Sequence, residues 1–344
     1  MTVEKSVSTH WPPSSMDTLC SAVLNRLRQQ GDAVSGEALS LEMGVSRNSI
    51  WKCIEHLRSG GYHIAGTRRQ GYLLLSAPDT PYPWEIAYNL PTQELGRHGI
   101  YVAETSSTND LVRQLARRQA PHGLVAVADK QLNGRGRRGR TWDSADNVGL
   151  WCSLLLRPKL PPTQLTLFPL LAGVAVIAAI TEQTGLQAVL KWPNDVLLDM
   201  RKVCGILLEL SAEADTVHHL VLGIGINVNQ ELRHFPDELR SSAGSLRLAS
   251  GQMQLRVPLL QQVLVQIERR YLQLVAAGPT ALLREVREHT SMIGKPVSVL
   301  AAEGAVLAGT ALDIAADGAL LVRDDNGHIH TVYAGDVSVR SPDA

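Results

Sequence analysis

The sequence predicts an α+β chain of several domains: an N-terminal winged helix-turn-helix, a central α/β domain with a mixed sheet, and a small C-terminal β-barrel. Three observations carry that reading. Residues 16–75 show two helical patterns, a tight turn, a capped third helix and two short apolar runs. Ser76-Ala77-Pro78-Asp79-Thr80-Pro81-Tyr82-Pro83 then places three prolines in eight residues, which is linker composition. Beyond residue 290, short alternating runs are punctuated by Asp317-Gly318 and Asn326-Gly327, dipeptides of hairpin turns. With 344 residues, 44% of them hydrophobic, the chain can bury a substantial core in more than one domain.

Residues 1–15 lack an apolar period and are expected to form a disordered tail. Leu19, Val23, Leu24 and Leu27 share one face of a first helix, closed by Gly31. A second helix starts near Ser35, and Met43-Gly44-Val45 makes a tight turn. Ser46 caps a third helix that carries Ile50, Ile54 and Leu57 on one face. Arg47, Asn48, Ser49 and Lys52 lie toward the other face near its start, where a recognition helix meets base edges. Tyr62-His63-Ile64 and Gly71-Tyr72-Leu73-Leu74-Leu75 read as strands around a wing that holds Arg68 and Arg69. Residues 46–71 hold five Lys or Arg against one Glu in a chain with 33 basic and 33 acidic residues. That local excess suits DNA phosphates, with affinity that falls as salt rises. A helical docking module without DNA binding is the alternative. The pattern leaves open whether Trp51 packs inward or touches DNA.

In the central segment, Gly134-Arg135-Gly136-Arg137-Arg138-Gly139-Arg140 followed by Thr141-Trp142 is the most informative stretch. Residues 130–142 carry five basic side chains and no acid. Arginine forks match carboxylate and phosphate oxygens, so a bound anion is the expected partner. The letters satisfy G-x-G-x-x-G, but no apolar-periodic helix follows and no acid stands about 20 residues on, so a dinucleotide fingerprint is rejected. No Gly-Lys-Ser/Thr ends the run, which excludes a Walker A loop. An irregular basic loop that closes over a ligand remains, against the alternative of a solvated turn. Leu190-Lys191-Trp192-Pro193-Asn194-Asp195 puts a lysine at a strand end ahead of a proline turn. Residues 202–209 and 220–227 read as two further strands, and Gly223 and Gly225 are expected to let a flat ligand approach the backbone. Glu104-Thr105-Ser106-Ser107-Thr108-Asn109 heads a helix, as site residues or as an ordinary cap. The apolar stretch 167–180 contains Pro169 and falls short of the roughly 20 residues that span a bilayer, so it reads as a buried helix and no membrane partner is expected. Four cysteines without CxxC spacing, and no signal-like start, point to the reducing cytoplasm.

In this order the segments closely resemble the biotin–protein ligases, specifically those fused to a biotin-operon repressor. The resemblance rests on Ser107-Thr108-Asn109, Gln131 with 134–140 and Trp142, 191–195, Lys202 with Gly205, and 223–227, and it runs from about residue 16 to the C-terminus. It implies a ligase domain over 84–290 and an SH3-like barrel over 291–344. It also implies a two-step reaction: biotin attacks the α-phosphate of ATP to give biotinyl-5′-adenylate, and a lysine of the biotin carboxyl carrier protein then displaces AMP. Ser107, Thr108, Asn109, Gln131 and Gly136 would hold biotin. Lys191 is the bet for contact with both the biotin carboxyl and the α-phosphate, helped by Arg135 and Arg137. Gly134, Arg138, Arg140, Trp142, Asn194 and Asn227 would hold the adenylate, with Trp142 over the adenine and Mg²⁺ bridging phosphates. Operator DNA would be bound by a homodimer formed with ligand. Three alternatives stay open: a ligase with an inert N-terminal domain, a sensor with a decayed centre, and a lipoate-type ligase.

Overall fold

Ser14 caps the first helix by a reciprocal box with Asp17, so α1 (Ser15–Gln30) begins one residue inside the expected tail. A computed structural model describes residues 12–67, 70–213, 216–300 and 306–339 of the chain. The rest of the tail that was expected to be disordered, residues 1–11, lies outside the described residues. Gly31 ends α1 in the left-handed conformation, and α2 (Gly36–Met43) and α3 (Arg47–Ser59) follow from the serine caps Ser35 and Ser46. The hairpin β1 (His63–Thr67) and β2 (Gly71–Ser76) completes the N-terminal unit. Its core of Val23, Leu24, Ile50, Ile54 and Leu57 continues through Tyr62, Tyr82 and Trp84 to Tyr101. Arg28 and Glu85 form an ion pair between α1 and the short α4 (Pro83–Ala87), and Tyr62 also donates to Glu85. The helix-turn-helix is therefore seated on the next domain by buried aromatic and charged side chains.

The central sheet has seven strands: β3 (Gly99–Thr105), β4 (Val125–Gln131), β5 (Gly149–Leu156), β6 (Val189–Lys191), β7 (Asp195–Leu198), β8 (Arg201–Glu213) and β9 (Thr216–Asn227). Their order is β3-β4-β5-β9-β8-β7-β6, with β3 and β4 parallel and the remaining pairs antiparallel, which makes the sheet mixed. One face carries α5 (Thr108–Arg117), whose Val112 and Leu115 meet Ile100, Val102, Ala126 and Val221. The short α6 (Pro162–Leu165) leads into α7 (Phe168–Thr184) on the opposite face, followed by α8 (Leu246–Ser250), α9 (Arg256–Ala277) and α10 (Thr280–His289). The span 162–184 is apolar and long enough to cross a membrane, yet 72% of its most apolar 18 residues are buried within the protein, so it is the core helix the sequence suggested.

A five-stranded antiparallel sheet ends the chain: β10 (Pro296–Leu300), β11 (Val306–Ile314), β12 (Leu320–Arg323), β13 (Ile329–Val332) and β14 (Asp336–Val339). Gly318 and Gly327 turn with positive φ between its strands, where glycine avoids the Cβ clash. Val297, Val299 and Val337 join the same hydrophobic core as α7, so this sheet is packed on the central domain. Trp192 Nε1 donates to the Gly318 carbonyl at 2.9 Å, which ties the turn after β6 to that hairpin. Core packing is thus the role of Trp192, and Trp151 is also fully buried.

Candidate active site

A cavity of about 570 Å³ opens where the start of α5, the end of β4, the basic loop and the starts of β8 and β14 converge. Ser107, Thr108 and Asn109 sit in its wall although all three are buried, because β5 and β9 press on the first turn of α5. Ser107 occupies the cap position but makes no side-chain cap bond, so this polar cluster is not serving as an ordinary helix cap. Gln131 Oε1 accepts from the Thr108 backbone N–H at 2.8 Å, and its amide nitrogen donates to Ser144 Oγ at 2.9 Å. Ser153 Oγ stands 2.7 Å from Thr108 Oγ1 and 2.6 Å from Asn109 Oδ1, and Asn109 Nδ2 donates to Glu209 at 2.8 Å. The groups that line this end of the cavity are neutral donors and acceptors, with the Glu209 carboxylate behind Asn109, an array suited to a polar uncharged head group.

The four arginines of the basic loop have separate tasks. Arg135 makes a bidentate pair with Asp110 at 2.7 and 2.8 Å and reaches Glu209 at 3.4 Å. The guanidinium of Arg135 holds the Asp110 carboxyl below the usual carboxylate range. Arg138 and Arg140 both turn to Asp336 of β14. Arg137 alone of the four makes no ion pair among the described residues, donating instead to Asn194 Oδ1 at 3.1 Å. Partial burial pushes its pKa down, so its charge is incompletely compensated within the protein. A cation held in that condition favours an anionic ligand.

Trp142 occupies the place where a flat ligand was expected to meet bare glycine backbone. A Cβ on Gly225 would lie 2.7 Å from the Trp142 indole nitrogen, and one on Gly205 would lie 2.8 Å from its ring. A Cβ on Gly223 would similarly strike Asn109 Oδ1 at 2.4 Å. The expectation for Gly223 and Gly225 is therefore corrected: they admit the protein's own side chains, Gly225 of β9 lying with Gly205 of β8 under the Trp142 indole and Gly223 under Asn109. Lys202 Nζ stands 5.2 Å from the Trp142 ring centroid and 2.8 Å from Asp195 Oδ1. An ammonium over an aromatic face with a carboxylate beside it is held in one place. Lys191 ends β6 and also lines the cavity, and no ion pair among the described residues engages it. The Trp192–Pro193 bond between Lys191 and Asn194 is cis.

Of the residues singled out from the sequence, Ser107, Thr108, Asn109, Gln131, Arg135, Gly136, Arg137, Arg140, Trp142, Lys191, Asn194 and Asn227 all line this cavity. Gly134 and Arg138 do not. Gly134 lies beneath the Trp142 carbonyl, 2.4 Å from where a Cβ would sit, so its place in the loop is a packing requirement. Sequence reasoning gave no role to Lys202, Asp195, Glu209 or Asp336. For Lys202 a signal existed, since it stands three residues before the glycine under Trp142. For Asp336 there was none.

The N-terminal unit presents a second surface. Arg47, Asn48 and Lys52 are exposed on α3, beside the exposed cap Ser46 and the half-buried Ser49. Trp51 is 52% exposed, which answers the question left by the sequence: it points outward from α3 between Asn48 and Lys52. Arg58 is turned inward, donating to the Ile64 carbonyl at 3.0 and 2.7 Å. Arg68 and Arg69, expected on the wing, lie outside the described residues.

Comparison with known proteins matches residues 101–227 to the biotin/lipoate A/B protein ligase family, residues 292–340 to the biotin protein ligase C terminal domain, and residues 21–73 to an HTH domain. The chain is 39% identical over 323 residues to the bifunctional ligase/repressor BirA of Bacillus subtilis, covering 94% of this chain and 99% of that protein. It is 34% identical to the biotin–[acetyl-CoA-carboxylase] ligase of Mycobacterium tuberculosis, covering 69% of this chain and 86% of that one. Among solved structures, the biotin protein ligase of Aquifex aeolicus in complex with biotin and ATP superposes with a TM-score of 0.62 at 32% identity, over 71% of this chain and 99% of that one.

Proposed function

The chain belongs to the biotin–protein ligase family, with the domain set of its bifunctional ligase/repressor members, and from that premise we propose how its residues divide the work. The protein activates biotin with ATP as biotinyl-5′-adenylate, transfers the biotinyl group to a lysine of a biotin carboxyl carrier protein, and represses transcription through its helix-turn-helix. The observation that carries the ligase reading is one cavity that gathers the start of α5, the basic loop, the Lys191–Asp195 turn and Lys202.

Ser107, Thr108, Asn109 and Gln131 hold the ureido head of biotin, whose donors and acceptor need partners once buried. The biotin carboxylate then lies between Arg137, Lys191 and Lys202. Carboxylate and triphosphate repel, and these three cations offset that repulsion as the carboxylate oxygen attacks the α-phosphorus and pyrophosphate leaves. Lys202 and Trp142 form the nucleotide side and Asn227 and Phe235 border it; magnesium carried by the nucleotide would offset phosphate charge there. In the second step the carrier lysine attacks the acyl carbon of the adenylate, and AMP departs. The setting is cytoplasmic.

Gly225→Val is expected to displace the Trp142 ring, because the new side chain occupies its place. Overpacking of this kind costs about 1–3 kcal/mol, so the ATP KM should rise roughly tenfold with a smaller change for biotin. Equal KM values in variant and wild type would remove Trp142 from the nucleotide side.

For repression, a homodimer formed in the ligand-bound state sets two α3 helices on two half-sites, with Arg47, Asn48, Ser49, Lys52 and Trp51 toward DNA. The decisive experiment for the whole reading is incubation with biotin, ATP and magnesium followed by mass spectrometry of the bound fraction. Biotinyl-adenylate is the expected product. Its absence, with lipoyl-adenylate formed in a parallel incubation with lipoate, would move the chain to the lipoate branch. Gel shift of DNA upstream of biotin genes and sedimentation with and without ligand then test the repressor and dimer.

A further inference from the structure

The basic loop is anchored at its tip by the C-terminal domain. Arg138 Nη1 donates to the Leu300 carbonyl at 3.1 Å and lies 3.3 Å from Asp336 Oδ2, and Arg140 pairs with the same carboxylate oxygen. Arg138 has φ +57, a left-handed backbone that an L side chain adopts only when its surroundings hold it there. Asp336 itself is rigidly placed: it pairs with Leu300 across β10 and β14, and its neighbour Val337 is buried against the core. Residues 336–339 also form part of the cavity wall beside Arg137 and Arg140. The central and C-terminal domains thus meet over the site through one carboxylate and two loop arginines.

We infer that Asp336 is a positioning residue that latches the basic loop over the cavity and so sets how long the adenylate is retained. The inference rests on the adenylate-forming activity proposed above and assigns Arg138 and Arg140 to the latch instead of to the adenylate. The mixed anhydride is lost to water unless the loop stays closed until the carrier lysine arrives. Partly exposed ion pairs are individually weak, so the latch biases closure without locking it, and the carrier can still gain entry. Two such pairs on one oxygen are expected to shift adenylate release by about fivefold.

The test uses the full-length protein loaded with biotinyl-adenylate, and measures release by rapid filtration. Asp336→Asn should release the adenylate about fivefold faster. Release from wild type should accelerate with added salt more than release from the variant, since the pairs are screened. Arg138→Ala/Arg140→Ala, which leaves Asp336 in place but also removes the Arg138 bond to the Leu300 carbonyl, should release at least as fast as Asp336→Asn. Adding Asp336→Asn to that double variant should add nothing further, because Asp336 acts only through the two arginines. If instead the arginine changes and Asp336→Asn multiply, the arginines hold the adenylate directly and the latch is overturned. An Asp336→Asn rate equal to wild type overturns it as well, provided the melting curve is unchanged. Should Asp336→Asn melt early, the charge exchange Asp336→Lys with Arg138→Glu and Arg140→Glu decides: slow release restored supports the latch, and fast release rejects it. Failure of wild type to form any adenylate would reject the ligase reading itself, a separate outcome.

Discussion

Lys202→Gln is expected to lower biotin-dependent pyrophosphate exchange by about 10²–10³-fold, the usual effect of deleting one preorganised group that stabilises developing charge. The reason lies in its surroundings. Asp195 at 2.8 Å and the face of Trp142 at 5.2 Å fix the ammonium, so little side-chain reorganisation accompanies phosphate binding. Glutamine keeps length and a donor but removes the charge, which isolates the electrostatic contribution. Lys191→Ala belongs in the same experiment, since Lys191 borders the cavity with no ion-pair partner among the described residues. Both lysines are expected to matter, and Lys202 more at the α-phosphate. Exchange by Lys202→Gln within a few-fold of wild type, with Lys191→Ala inactive, would return the phosphate role to Lys191.

Arg137→Gly should still form the adenylate but lose it about 10–150-fold faster, and bystander lysines should become labelled. Hydrogen bonds to charged groups contribute about 1.5–3 kcal/mol, which sets that range. Arg137 is the loop arginine that makes no ion pair among the described residues, which leaves its charge available to an anionic ligand. Glycine at this position also frees the loop backbone. Mass spectrometry of the free and bound adenylate, together with non-specific biotinylation of a neutral lysine-bearing protein, measures both consequences. A bound fraction as stable as in wild type would show that retention rests elsewhere.

Sequence patterning alone was enough for the layout of this protein. The serine caps at 46 and 35, the apolar faces of α1 and α3 and the Asp-Gly and Asn-Gly turns each act over a few residues, so local rules suffice. The Gly134–Arg140 run announced an anion site for the same reason: charge density and glycine content are local properties. The division of labour within that run was not legible. Four arginines in seven residues look equivalent until β14 supplies Asp336, α5 supplies Asp110 and the turn after β6 supplies Asn194. Gly223 and Gly225 likewise showed only that something packs closely, and the fold decided that it is Asn109 and Trp142. Lys202 earned its place through Asp195 across the β7–β8 pair and through the Trp142 ring about 60 positions upstream. Charge identity is written in the chain, but the partner that neutralises a charge comes from whichever distant segment the packed sheet brings within hydrogen-bond reach.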